Sequence, residues 1–238
     1  MGTIANNLAQ VMRRVTTASQ KKSDSASVPL LLAVSKGQTN TAIEAAYAAG
    51  QHDFGENYLQ EALAKIQALQ QVPDICWHFI GPIQSNKTRQ IAENFAWVHT
   101  LDRLKIASRL SEQRPPEMPP LNVCIQVNID RDPNKSGVLE KEVRELALEI
   151  VNLPHLKLRG LMTIPRQPEN QHDAATPFIQ LRQLFNELRN SESSLSHMDT
   201  LSMGMSADLE TAIAAGSTLV RVGTAIFGER SGQKLSME

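Results

Sequence analysis

The sequence predicts an α/β fold of one particular kind, a single (β/α)8 TIM barrel with an extra N-terminal helix. Three observations lead there. Eight short apolar runs alternate with helical segments along the 238 residues. The connections between them are modest in length. No glycine-rich dinucleotide fingerprint follows any run, which weighs against an open doubly wound sheet. No internal repeat or low-complexity tract interrupts the alternation, so residues 1–238 are expected to form one domain.

Each element has its own signal. Ile4, Leu8, Val11, Met12 and Val15 recur at helical spacing and predict an amphipathic opening helix. A polar stretch of Lys, Ser and Asp leads to Pro29 and a first strand in the run from Leu30 to Lys36. Thr41 to Ala49 is an alanine-rich helix closed by Gly50. His52 to Phe54 reads as the second strand and Tyr58 to Leu69 as a helix. Trp77 to Ile80 is the third strand, stopped by Gly81-Pro82, and Ser85 is expected to cap a helix through Glu93. Trp97 to Thr100 is the fourth strand, followed by a helix from Asp102 to about Glu112. Arg114-Pro-Pro-Glu-Met-Pro-Pro120 cannot continue a helix and reads as the connection into the fifth strand, Asn122 to Ile129. Then come a helix (Val138 to Val151), the sixth strand (Lys157 to Met162), a polar loop (Pro165 to His172) and a long helix (Asp173 to Arg189). Thr200 to Met203 is the seventh strand, Ala207 to Ala215 a helix and Leu219 to Val222 the eighth strand. A short helix begins near Thr224.

Composition removes several function classes. A formal net charge of -1 leaves no electrostatic footprint for nucleic acid. No stretch is long and apolar enough to cross a bilayer, and Met1 to Asn7 carry no signal-peptide core, so a cytoplasmic location is expected. Cys76 and Cys124 lack CxxC spacing and read as reduced core residues. His52-Asp53, His172-Asp173 and His197-Met-Asp199 show no metal-ligand spacing, so no metal is expected. The surface shows no dimerisation stripe beyond the first helix, which is expected to pack on the barrel of a monomer.

The chemistry collects at the carboxyl ends of the strands. Lys36 ends an apolar run, and two readings stand: a solvated lysine closing a strand, or an amine whose low-dielectric setting lets it attack a carbonyl and form a Schiff base. After the seventh strand comes Gly204-Met-Ser206-Ala-Asp208, and after the eighth Gly223-Thr224-Ala225. Both place small or hydroxyl residues where a helix begins, which suits a phosphate. Alternatively Ser206 is only an N-cap and Gly223 only a turn glycine. Arg221, between Val220 and Val222, points into the barrel and needs a partner, either a structural carboxylate or an acceptor on a ligand. Asn57 follows the second strand on the same face. His78 reads equally as a packed strand histidine, and Asn134 to Gly137 as a basic loop or a solvated turn.

With these residues assembled, the chain resembles the pyridoxal phosphate homeostasis protein family. The most specific segment is His78-Phe-Ile-Gly-Pro-Ile-Gln-Ser-Asn-Lys87. It is joined by Ala33-Val-Ser-Lys36, Phe54-Gly-Glu-Asn-Tyr58, Lys135-Ser-Gly137, Leu161-Met-Thr163, Leu201-Ser-Met-Gly-Met-Ser206 and Arg221-Val-Gly-Thr-Ala-Ile-Phe-Gly228. The resemblance implies a barrel like the N-terminal domain of alanine racemase, with pyridoxal 5'-phosphate on Lys36. It implies Ser206, Gly223 and Thr224 at the phosphate, Arg221 at the pyridine nitrogen and Asn57 beside the cofactor. It also implies a role in cofactor and amino-acid homeostasis without an enzymatic reaction, with apo-enzymes that receive the cofactor as partners.

An arginine at the ring nitrogen disfavours its protonation and so weakens the cofactor as an electron sink. The chain's two tyrosines, Tyr47 and Tyr58, give no assignable second base. The alternatives are an amino-acid racemase or decarboxylase using the same cofactor, and a lyase in which Lys36 attacks a sugar phosphate with Glu56 as acid or base.

Overall fold

Eight parallel strands close on themselves in chain order, so that β1 (Leu30–Val34) lies between β2 (Asp53–Glu56) and β8 (Leu219–Val222). The others are β3 (Cys76–Phe79), β4 (Trp97–Leu101), β5 (Leu121–Gln126), β6 (Leu156–Met162) and β7 (Thr200–Ser202). Closure is made by Leu30 to Ala33 in register with Leu219 to Val222. This computed structural model describes residues 2–21, 27–166 and 173–229. The polar stretch at 22–26 and most of the loop expected at Pro165 to His172 lie outside the described residues.

The connecting helices are α2 (Asn40–Ala48), α3 (Leu59–Ala68), α4 (Thr88–Asn94), α5 (Leu104–Gln113), α6 (Glu140–Ile150), α7 (Thr176–Ser191) and α8 (Leu209–Ala214), with α9 (Thr224–Phe227) last. Their apolar faces meet the outward-facing strand residues. Phe54, Ile91, Phe95, Ile106, Leu110, Leu121, Ile125 and Ile150 are all fully buried. Burying such side chains, at about 1.5–3 kcal/mol each, supplies the main drive for closure.

The extra helix α1 (Ile4–Gln20) starts where the Thr3 hydroxyl accepts from Asn6 N–H. Its stripe of Leu8, Val11 and Val15 is buried, and it packs on α2, α8 and α9. Asn7 Nδ2 donates to Ile226 O at 2.9 Å. The helix therefore covers the seam where the first and last units of the barrel meet.

Four of the boundaries that differ from the sequence expectation have clear local reasons. β1 stops at Val34: the Gln38 N–H turns back to Ser35 O, and Gly37 takes φ 72°, so Lys36 sits in a turn beyond the strand. Ser85 does not cap a helix with its side chain. It opens a 3-10 turn, and its carbonyl accepts from Thr88 Oγ1 where α4 begins. β5 ends at Gln126 because the chain bends there, with Val127 bridged to Val138 and the Asn128 side chain donating to Asp132 O. α7 begins at Thr176, with Pro177 in its first turn. The proline-rich connection after α5 is organised by the buried Arg114, whose guanidinium donates to the carbonyls of Ala92, Phe95 and Pro119.

Candidate functional site

The carboxyl ends of the strands open into a cavity of about 300 Å³, the lower end of the range for small-ligand sites. Lys36, Asn57, Ser206, Arg221, Gly223 and Thr224 all line it. Val34, Ile80, Met162 and Ile164 supply apolar wall. Six residues singled out from four separate stretches of sequence are thus brought together.

The turn that carries Lys36 is held from both sides. Ser35 Oγ donates to Glu56 Oε1 at 2.6 Å, Lys65 Nζ donates to Ser35 O at 2.7 Å, and Gly37 N–H donates to Glu61 Oε1 at 2.6 Å. Lys65 also pairs with Glu56 Oε1 at 2.7 Å, deep between barrel and helix. Glu56 is fully buried, and desolvation raises its pKa although Lys65 and Ser35 pull it down. Glu56 therefore faces α3 and is absent from the cavity lining, which removes the acid or base that the lyase reading required.

Asn57 is positioned by a close backbone approach. A Cβ on Gly81 would fall 2.0 Å from Asn57 O, so only glycine lets the loop after β3 pass the loop after β2. Asn57 Oδ1 is buried with no hydrogen-bond partner among the described residues. An atom so placed at a cavity wall calls for a donor from a ligand.

Arg221 is 4% exposed, and its partners are neutral. Its Nη1 donates to both Ser202 O and Ser202 Oγ at 2.7 Å, and Nη2 donates to Thr163 O at 2.9 Å. No carboxylate pairs with it among the described residues, so the structural ion pair considered from sequence is not formed. Burial lowers its pKa to about 10, which still leaves it charged at neutral pH.

The turn after β7 is braced by Asp208. Its Oδ1 accepts from Met205 N–H, and its own N–H donates to Met205 O. Asp208, not Ser206, is the N-terminal boundary of α8, so Ser206 is left at the cavity. From outside, Arg14 of α1 donates to Ser206 O at 3.0 Å and pairs with Glu210. Gly223 sits against β1, where a Cβ would meet Val34 O at 3.2 Å. The first turn of α9 leaves the Thr224 and Ala225 N–H groups without intrahelical acceptors.

Below the cavity lies a buried polar chain that sequence reading did not anticipate. His99 Nδ1 is 2.8 Å from Ser202 Oγ, and His99 Nε2 is 2.9 Å from His78 Nδ1. His78 Nε2 is 3.0 Å from Asp53 Oδ1. β4 and β7 are not neighbours in the sheet, so the His99 to Ser202 bond crosses the barrel interior. Burial lowers the pKa of both histidines, and that of His99 falls further beside His78 and Arg221. Only strand parity could have revealed this chain: His78, His99, Ser202 and Arg221 all take inward positions.

The remaining expectations resolve simply. Tyr47 meets His52 edge-on at 5.1 Å, and Tyr58 is exposed; neither lines the cavity. Lys135 is latched to Asp130 and to Ile164 O beside the cavity, so its loop is more than a solvated turn. Both cysteines are free; Cys124 is buried, whereas Cys76 is partly exposed. Among the described residues no helix is long and apolar enough to cross a membrane.

The family model for the alanine racemase N-terminal domain matches residues 3–231. The pyridoxal phosphate homeostasis protein of Pseudomonas aeruginosa is 52% identical over 230 residues, covering 97% of each chain. That of Escherichia coli K12 is 50% identical over 236 residues, covering 98% of this chain and 100% of the relative. Among solved structures, PipY of Synechococcus elongatus PCC7942 with PLP bound superposes with a TM-score of 0.83 at 36% identity, covering 94% of this chain and 100% of PipY. Alanine racemase from Streptomyces coelicolor A3(2) reaches a TM-score of 0.73 at 18% identity, with 95% of this chain spanning 58% of the racemase. That last likeness is one of fold alone.

Proposed function

Because this chain belongs to the pyridoxal phosphate homeostasis protein family, we propose that it holds pyridoxal 5'-phosphate in the cavity and serves cytoplasmic cofactor and amino-acid balance without dedicated turnover. One observation carries the reading: an amine, a charged arginine and an unpartnered amide oxygen share one 300 Å³ cavity. The chemistry of this donor set fits the cofactor. Lys36 would tether it as a Schiff base. Ser206, Gly223 and Thr224, with the N–H groups of the first turn of α9, would hold its phosphate. Asn57 Oδ1 would take a donor, and Arg221 would face the ring nitrogen. When bound, the cofactor supplies an electron sink for carbanions formed next to an amino group.

This chain's own residues limit that chemistry. Arg221 keeps its charge because neutral acceptors hold it, and a fixed cation disfavours a proton on a nearby ring nitrogen. Among the described residues no tyrosine reaches the cavity to serve as a second base, which weighs against the racemase or decarboxylase reading. The reading includes a monomer that passes cofactor to apo-enzymes, and two free thiols suit the cytoplasm.

Absorption spectroscopy tests the tether. Added pyridoxal 5'-phosphate should give a protein-bound band that borohydride fixes irreversibly and that Lys36→Ala lacks. A wild-type protein that takes up no cofactor sinks the proposal. Exchange of an amino acid's α-proton with solvent at catalytic rates, abolished in Lys36→Ala, would establish an enzyme instead.

A further inference from the structure

We propose that Asp53, Cys76 and His78 form a binding site for a divalent cation of the zinc class, at the opposite end of the strands from the cavity. Linear spacing hides this group; strand register creates it. Asp53 pairs with Cys76 and Gly55 with His78 across β2 and β3, so the three side chains occupy neighbouring positions on one face. His78 Nε2 lies 3.0 Å from Asp53 Oδ1 and 3.4 Å from Cys76 Sγ. All three atoms lie within 4.8 Å of one another.

A tetrahedral zinc ion with bonds of about 2.0–2.3 Å sets its ligand atoms roughly 3.3–3.6 Å apart. The two separations from His78 Nε2 need adjust by only tenths of an ångström. One carboxylate oxygen, one imidazole nitrogen and one sulfur make a borderline-soft set that suits zinc and disfavours magnesium or calcium, which take oxygen. Asp53 keeps 21% of its side chain exposed and Cys76 is partly exposed, which opens an entry path and a fourth position for water.

The surroundings orient the histidine as a ligand. Its ring stacks on Trp97 with centroids 5.4 Å apart and planes within 7°. Its other nitrogen, Nδ1, is held at 2.9 Å by His99 Nε2, the kind of outer contact that fixes a ligating imidazole. With the Nε2 lone pair on a metal, Nδ1–H donates to His99 Nε2, and His99 Nδ1–H donates to Ser202 Oγ, which also accepts from Arg221. Without a metal, His78 Nε2–H donates to Asp53 and both imidazoles take the opposite tautomer. Occupancy of this site thus sets the proton pattern of a chain that ends on the cavity's arginine. Metal binding would displace the Cys76 thiol proton, with no change of oxidation state.

The test is a cobalt titration of untagged, metal-stripped protein without cofactor, so its outcome is independent of the function proposed above. One equivalent of Co²⁺ should give a thiolate-to-cobalt absorption band, and Zn²⁺ should abolish it by displacement. Cys76→Ala should lose the band, and Asp53→Asn should weaken Co²⁺ binding at least tenfold, both with unchanged far-UV dichroism. Cys124 is fully buried, so the signal reports Cys76. A folded wild-type protein with no thiolate band, or a band that persists in Cys76→Ala, overturns the site.

Discussion

Lys65→Met is the substitution that most directly tests how the Lys36 turn is held. The methionine keeps much of the buried stem and removes the charge. Glu56 is then left fully buried with one oxygen already unpartnered and the other bonded only to Ser35 Oγ. Breaking a buried pair by removing one member costs about 3–5 kcal/mol. The donor lost from Ser35 O adds about 1 kcal/mol. Urea unfolding at pH 8 should therefore show a deficit of about 4–6 kcal/mol.

The pH dependence follows from Glu56. Its pKa is raised in the folded protein even with Lys65 present, and it must rise further without it. Between the unfolded and folded values the folded state binds the extra proton, so stability falls as pH rises through that window. The deficit should accordingly shrink at pH 5.5. The double variant Glu56→Gln, Lys65→Met should recover part of the loss, because it removes the unpaired charge of Glu56, while Glu61, 2.5 Å from Lys65, still loses its partner. A deficit below about 1 kcal/mol at pH 8, or one equal in the single and double variants, would refute this account of the pair. Cofactor retention should fall with stability, since Ser35 and Gly37 flank Lys36, the proposed tether.

Ser206→Ala and Thr224→Ala should each weaken cofactor binding by about 1.5–3 kcal/mol, at least tenfold in Kd, in a spectroscopic titration; unchanged affinity in both removes the phosphate assignment. Gly81→Ala places a Cβ 2.0 Å from Asn57 O, so it should destabilise the protein by about 1–3 kcal/mol or more and displace Asn57, which urea unfolding and cofactor affinity both read. By nitrogen NMR both His78 and His99 should take up a proton only below the ordinary imidazole range, His99 well below it, and a normal titration of either would contradict the buried chain. Their folded pKa values are depressed, so the unfolded state binds more protons below about pH 6.5 and stability should fall as pH drops through that range.

Sequence patterning revealed the barrel because the signals that build it are local. Each apolar run is stopped by its own turn chemistry, and the eight strands fall within a few residues of their predicted places. The cavity residues were legible for the same reason: Lys36, Asn57, Ser206, Arg221, Gly223 and Thr224 all follow or end a strand on one side of the barrel. Glu56 was not legible in that way. It sits one residue before Asn57, and the half-turn between successive strand residues sends it to the helix layer instead of the cavity. Ser85 differs for another reason: the chain takes a 3-10 turn over Ser85–Lys87 before α4, and the Ser85 carbonyl, not its hydroxyl, makes the bond at the helix start. The Asp53, Cys76 and His78 group depends on register between strands more than twenty residues apart, which no local pattern encodes.

The choice of partners for Arg221 ties these levels together. Sequence placed an arginine inside the barrel and left open whether a carboxylate would neutralise it. Burial among apolar strands demanded hydrogen-bond acceptors, and the short strand β7 and the end of β6 provide them as Ser202 and Thr163 oxygens. A carboxylate would have spent the charge inside the wall. Neutral acceptors satisfy the donors and leave the charge in the field of the cavity, where the arginine stays protonated with a pKa of about 10. Such a wall would attract an anionic ligand and, with Arg221 at the ring nitrogen as proposed, would disfavour the ring proton that makes the cofactor reactive. On the proposed function, tight holding and weak chemistry would have one physical origin.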